Sequence, residues 1–324
     1  MADGGHAPVL LAEAIEALAP VPGGRYLDGT FGGGGHSRAL LEATVPDGIV
    51  LALDADPIAI QRAGQLAGES DGRLRPVHAN FADLAMVATD AGLVPLNGVL
   101  LDLGLSSFQL DAGERGFAFR FDGPLDMRFD PERGEPAASL IEGLSADDLA
   151  DLIYQYGDEP KSRRIAAAIV RERAQSPIRS TARLAEIVAK AAGGHRGRDT
   201  HPATRTFQAL RIATNDELRV LEQALSAAVC VLAPGGRLVT IAFHSLEDRI
   251  IKRFIERESA ECLCPPEVPI CVCGHQPRLA RVTRRAVRPS AAETARNPRS
   301  RSATLRAAER LAERAALGTE GHSR

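Results

Sequence analysis

A doubly wound α/β domain interrupted by a block of helices is the fold that the sequence predicts. Three observations predict it. The stretch Arg25-Tyr-Leu-Asp-Gly-Thr-Phe-Gly-Gly-Gly-Gly-His36 reads as strand, acid, glycine turn and helix start, the layout of a nucleotide-type cofactor site. Two further apolar runs, 48–54 and 96–102, also end in an acid, so Asp28, Asp54 and Asp102 would share the sheet edge where such folds bind ligands. Between residues 110 and 212 helical patterns follow one another without strands, and the α/β alternation then resumes.

Residues 8–18 read as a short amphipathic helix, and Tyr26 and Leu27 as the end of a buried strand. The glycines of the turn let the backbone approach a ligand, and residues 37–42 continue as helix. The run Gly48-Ile-Val-Leu-Ala-Leu-Asp54 is the second parallel strand. Asp54 lies 19 residues beyond Gly35, the spacing at which an acid holds ribose hydroxyls. Asp56-Pro57 opens a helix. Residues 73–77 form a third strand followed by Phe81, and 96–102 a fourth. Residues 108–143 show little periodicity. Helices are expected from Ser145, over 161–175, from Thr181 and over 201–212. Asn215 is expected to cap a further helix that Pro234-Gly-Gly stops. Residues 237–243 give the fifth strand, and 278–287 and 302–307 two closing strands.

Composition excludes several classes. With 44% hydrophobic and 25% charged residues among 324, the chain reads as an ordinary globular protein. No apolar run approaches the roughly 20 residues needed to span a bilayer. The N-terminal stretch has Asp3, Glu13 and Glu16 and no basic n-region, so a cytoplasmic location is expected. The net charge of -3 hides an asymmetry: residues 1–110 hold 5 basic and 13 acidic side chains, whereas 274–324 hold 12 arginines and 4 acids. An arginine-rich end points to a polyanionic partner, or else to a solvated tail. Cys230 falls in an apolar helix pattern and is expected in the core. Cys262-Leu-Cys264 and Cys271-Val-Cys273, six residues apart, have the pairing of a tetrahedral thiolate zinc site. Their spacing departs from the common CxxC form, so free thiols or a structural turn remain as alternatives.

An acid directly before the glycine turn argues against a nicotinamide dehydrogenase and favours S-adenosylmethionine, whose ammonium an acid can approach. Asp54 would then hold the ribose, and Phe81 would cover the adenine. Eight stretches carry a family resemblance: 6–13, Asp28-Gly-Thr-Phe-Gly with Gly34-Gly35-His36, Leu101-Asp-Leu-Gly-Leu-Ser-Ser107, Arg115-Gly-Phe, Gly123-Pro-Leu-Asp-Met-Arg128, 201–208, Phe243-His-Ser-Leu-Glu-Asp-Arg249 and 297–302. On these the chain resembles the bacterial small-subunit rRNA cytosine-N4 methyltransferase family (RsmH or MraW).

The resemblance implies a class I (Rossmann-like) S-adenosylmethionine-dependent methyltransferase fold with a helical insertion. It also implies methylation of a decoding-centre cytosine in 16S rRNA of the small ribosomal subunit. The expected division is a methyltransferase domain over 1–109 and 213–310, an RNA-recognising insertion over 110–212 and a flexible tail over 311–324. Cofactor contacts would fall on Gly34, Gly35, His36, Asp54, Phe81, Asp102 and Gln109, with Asp28 shaping the turn. Asp102 sits where amino-methyltransferases of DNA place the acid or amide before Pro-Pro-Tyr, but Leu-Gly-Leu-Ser follows it here. Asp102 or a neighbouring main-chain carbonyl is therefore the candidate that orients the amine. His244 is a candidate lining the substrate pocket or, equally, a structural histidine. His244, Ser245 and Asp248 are too close in sequence to meet as a hydrolase triad. Arg163, Arg164, Arg196, Arg198, Arg205, Arg281, Arg284 and Arg285 are candidates for RNA phosphate. An RNA- and cofactor-binding assembly factor with little turnover is the alternative function.

Overall fold

The structure is a computed structural model that describes residues 8–194, 201–265, 267–268 and 271–313. The first half alternates as read from sequence. Helix α1 (Leu11–Leu18) buries Ala14 and Leu18, then β1 (Arg25–Asp28) runs through the glycine turn into α2 (Gly35–Ala43). Strand β2 (Ile49–Asp54) leads to α3 (Pro57–Glu69), which starts where Asp56 accepts from the Ile58 amide and Pro57 presets the first turn. Strand β3 (Leu74–His78), helix α4 (Leu84–Asp90) and β4 (Leu96–Asp102) follow.

Helices then take over: α5 (Ser107–Asp111), α6 (Ala137–Gly143), α7 (Ala146–Gly157), α8 (Ser162–Arg173), α9 (Thr181–Ala191), α10 (Thr204–Asn215) and α11 (Glu217–Val231). The chain re-enters the sheet at β5 (Leu232–Ala242) and closes with α12 (Ser245–Glu258), β6 (Leu279–Arg281), α13 (Ala291–Arg296) and β7 (Thr304–Arg310).

The seven strands form one sheet in the order β3-β2-β1-β4-β5-β7-β6. Strands β1 to β5 pair in parallel, and β7 runs antiparallel to both its neighbours. This is the Rossmann-like class I methyltransferase sheet expected above. The order reverses between β1 and β4, so the crevice beyond their carboxyl ends is the topological switch point. One face carries α4, α11 and α12 on a core with Leu84, Leu101, Leu225 and Phe254; the other carries α1, α2 and α3 on Leu18, Leu40, Ala63 and Leu100. A third core, with Phe117, Ile141, Ile153, Ile169, Val188 and Phe207, belongs to the helices between β4 and β5.

Several expectations are corrected. Residues 108–143 include α5 and α6, which are too short to show a period in sequence. Pro234-Gly-Gly does not stop the helix; α11 ends at Val231 and the glycines lie inside β5. There they absorb a bulge, because pairing steps from Leu96 with Leu232 to Gly98 with Arg237. Asn215 is the last residue of α10 rather than a cap of the next helix; Asp216, with φ 51°, makes the corner. The strand expected over 278–287 shortens to three residues, with Val287 forming one isolated bridge to Leu305. Cys230 is exposed, since the buried stripe of α11 runs through Val220, Ala224, Ala228 and Val231. Arg196, Arg198 and residues 314–324 lie outside the described residues.

Candidate active site

The carboxyl ends of β1, β2 and β4 bring Asp28, Asp54 and Asp102 to one edge, yet give each a different task. Asp28 is 1% exposed, and its Oδ2 accepts from Ser37 Oγ (2.7 Å) and its Oδ1 from the Thr30 amide (3.1 Å). Burial pushes this carboxyl above its usual range, against those hydrogen bonds. It ties the glycine turn to the start of α2. Asp54 accepts from the Gly32 amide at Oδ2 (2.8 Å) and the Asp56 amide at Oδ1 (2.9 Å). One lone pair on each oxygen is left over. Burial lifts Asp54 to about 6.

Asp102 differs from both. Its Oδ1 is buried without a hydrogen-bond partner, and its Oδ2 lies 3.6 Å from His36 Nδ1. Burial lifts the carboxyl to about 6, with the neighbouring His36 opposing the rise. A buried acceptor left unpaired costs about 1–3 kcal/mol, which a ligand donor would recover.

A pocket opens at this edge, lined by Gly29, Asp54, Phe81, Asp102, Gln109 and Glu247 among others. Four sequence candidates thus meet: Asp54, Phe81, Asp102 and Gln109. Gln109 is also structural, closing a capping box with Ser106 and donating to Asp56 Oδ2 (3.1 Å).

Gly34, Gly35 and His36 are not among the lining residues. They stand behind the wall. A Cβ on Gly34, whose φ is 78°, would come within 2.5 Å of the Phe31 ring, and one on Gly35 within 2.8 Å of Pro8. His36 is buried between the Val9 carbonyl (3.2 Å) and Asp102, so it reaches the cavity through that carboxylate. Gly34→Ala is expected to cost about 2–4 kcal/mol, combining a left-handed backbone with overpacking. The check is a fall in the urea midpoint at unchanged slope; an unaltered midpoint would mean that the turn tolerates a side chain.

His244 does not line the cavity either. It caps α12: its Nδ1 accepts from the Glu247 amide (3.4 Å), while its Nε2 lies 3.0 Å from Glu247 Oε1 without hydrogen-bond geometry. Glu247 faces the cavity instead, and its Oε2 accepts from the Phe243 amide (2.8 Å). The triad reading is excluded: Ser245 donates to Asp158 (3.1 Å), and Asp248 pairs with Arg306 (2.7 Å).

Sequence reasoning missed Glu217, Asn215 and Phe129 in the lining. Glu217 is held by a bidentate pair with Arg211 (2.7 and 2.8 Å). Asn215 accepts from the Phe129 amide (2.8 Å) and donates to the Met127 carbonyl (2.7 Å), fixing the far wall. No local pattern marks these residues, because they come from segments far apart in sequence, Phe129 between α5 and α6 and the other two from α10 and α11. The terminal motifs brace the same region. Arg299 donates to Ser107 Oγ and to Asp111 (3.2 Å), and Glu293 accepts from the Leu10 amide (2.8 Å).

The model of the MraW methylase family matches residues 3–311. The chain belongs to the MraW methylase family. Curated relatives agree. Ribosomal RNA small subunit methyltransferase H of Thermomicrobium roseum is 61% identical over 95% of this chain and 94% of its own. Proteins of the same name from two Dehalococcoides mccartyi strains are 51% and 50% identical, over 95% and 94% of this chain and 87% and 86% of theirs. The MraW methylase assignment makes the protein an S-adenosylmethionine-dependent methyltransferase. Its residues fit that cofactor: carboxylates line the cavity, and Asp54 keeps acceptor capacity on both oxygens for ribose hydroxyls. No helix among the described residues is long and apolar enough to cross a membrane.

Proposed function

We propose that this MraW methylase methylates the N4 amine of a decoding-centre cytosine in 16S rRNA of the small ribosomal subunit, in the cytoplasm. The observation that carries the reading is the buried, unpartnered Asp102 Oδ1 at the switch point. S-adenosylmethionine supplies an activated methyl group, so the chain's work is alignment. Asp54 accepts the ribose hydroxyls on its remaining lone pairs, Phe81 covers the adenine, and Gln109 holds the loop after β4 against the ligand. Gly34, Gly35 and His36 support the amino-acid end through the turn and through Asp102.

The cytosine amine is a poor nucleophile because its lone pair is conjugated into the ring. Asp102 Oδ1 accepts one amine proton in a hydrogen bond, which favours the pyramidal, reactive geometry. His36 keeps that carboxylate oriented, and His244 positions Glu247 at the opposite wall. The target base must leave its stack to reach this cavity. The decisive measurement is nucleoside mass spectrometry of 16S rRNA from cells with and without the protein. Loss of N4-methylcytosine on deletion supports the reading; an unchanged nucleoside profile would overturn it.

The helices between β4 and β5, with a core of their own, form the RNA-recognising part of this proposal. Arg163 and Arg164 of α8 and Arg281, Arg284 and Arg285 near β6 supply its phosphate contacts, whereas Arg205 also donates to the Asp158 carbonyl (2.9 Å). RNA affinity is expected to fall steeply with added salt, and each phosphate-contacting Arg→Ala to reduce the log–log slope by about one. A flat response in a filter-binding titration would remove the electrostatic role.

A further inference from the structure

The segment between α12 and β6 is built unlike the rest of the molecule. Among its described residues Leu263, Val268 and Val272 are exposed, the last by 80%, so these side chains build no core. Its neck is clamped. The Glu258 carbonyl accepts from the Arg278 amide (2.8 Å), and the Glu258 carboxylate accepts from Arg278 Nε (2.7 Å) and pairs with Arg257 (2.9 Å). Beyond the neck Cys262, Cys264, Cys271 and Cys273 come together, with all four sulfurs within 4.8 Å of one another. No two of them are bonded.

The dimensions are those of a four-thiolate metal site. With zinc–sulfur bonds of about 2.3 Å, the edge of a sulfur tetrahedron is roughly 3.8 Å. The sulfurs of Cys262, Cys271 and Cys273 lie 3.3, 3.5 and 3.9 Å apart. Backbone amides already point at the sulfurs. Cys264 N donates to Cys262 Sγ (3.3 Å), Leu263 N to Cys273 Sγ (3.4 Å) and Val272 N to Cys264 Sγ (3.4 Å). Such bonds offset the surplus negative charge of four thiolates around a divalent ion. The space among the sulfurs holds one ion, not an iron–sulfur cluster, and an all-thiolate tetrahedron is zinc's preferred structural set.

We infer that Cys262, Cys264, Cys271 and Cys273 bind one structural zinc ion, which holds the 259–278 segment folded in place of an apolar core. Each CxC pair gives one half of the tetrahedron. Ion binding to such a segment is itself folding free energy. The site is remote in function from methyl transfer: none of the four cysteines lines the cofactor cavity.

The test uses the full chain purified under reducing conditions. Elemental analysis, before and after titration with zinc, is expected to give about one zinc per chain. A mercurial titrated against the thiols should release that zinc as four thiols react. Cobalt(II) in its place should show the intense visible bands of a four-thiolate tetrahedron. Chelation should speed proteolysis within 259–278 while leaving S-adenosylmethionine binding unchanged. The double variant Cys262→Ser with Cys271→Ser should lose the ion and keep cofactor binding. Failure to take up zinc with four titratable thiols, stoichiometric iron, two disulfides by mass, or a cobalt spectrum of fewer thiolates would each overturn the assignment.

Discussion

Asp102→Asn is expected to cut methyl transfer while making the ligand-free protein more stable at neutral pH. The two effects share one cause. In the folded chain Asp102 is lifted from 3.8 to about 6, chiefly by burial. An acid raised on folding holds its proton more tightly in the native state than in the unfolded one. Its stabilising contribution is therefore full below about pH 4 and is lost as pH rises through about 6. Above that, keeping the charge in place costs up to about 3 kcal/mol at roughly 1.4 kcal/mol per pH unit. The side chain is 21% exposed, so the measured cost should be smaller. Asparagine removes the charge and keeps the shape. Its melting temperature should exceed that of the parent above pH 6 and match it near pH 4. Turnover should fall roughly 10- to 150-fold, the worth of a charge-assisted hydrogen bond. Single-turnover transfer to RNA, with cofactor binding measured separately, checks the second half. Full turnover with normal cofactor binding would remove the side chain from the mechanism and leave a main-chain carbonyl to orient the amine.

Arg115→Ala is expected to lose about 3–5 kcal/mol, the cost of stranding a buried charge. Arg115 and Asp56 pair at 2.9 Å with both side chains at or below 10% exposed. Asp56 also starts α3 and accepts from Gln109, while Arg115 donates from NH2 to the carbonyls of Arg128 (3.1 Å) and Phe129 (2.9 Å). One guanidinium therefore joins the sheet domain, the loop after β4 and the wall of the cavity. Chemical denaturation should show the loss, and a rise in the Michaelis constant for S-adenosylmethionine should accompany it as Phe129 and Gln109 loosen. Arg115→Lys should recover only part of both, because an ammonium cannot span the two carbonyls and the carboxylate together. Unchanged stability in Arg115→Ala would mean that water replaces the guanidinium.

The parallel half of the sheet was legible from residues alone. Three of the parallel strands, β1, β2 and β4, end a largely buried run in an acid at the next turn, so Asp28, Asp54 and Asp102 declare themselves locally. The inserted helices were legible as helical patterns without strands between them, and the acid before the glycine turn favoured S-adenosylmethionine independently of the family motifs. Short helices such as α5 and α6 escaped, because five to seven residues do not establish a period, and β6 was drawn too long. The glycines of Pro234-Gly-Gly misled for a related reason: a bulge and a helix stop use the same residue types.

What the sequence by itself determined is the order of strands and helices, the cofactor edge and the pairing of the cysteines, all written over a few neighbouring residues. Only the tertiary structure decided which acids face the cavity. Asp28 and Asp102 share the same local pattern, yet Asp28 spends both oxygens on the turn while Asp102 keeps one free. The same holds for Glu217, Asn215 and Phe129, which reach the cavity from α11, from α10 and from the stretch between α5 and α6. A side chain's hydrogen-bond partners are set by distant segments packing against it, and that information is not local to any motif.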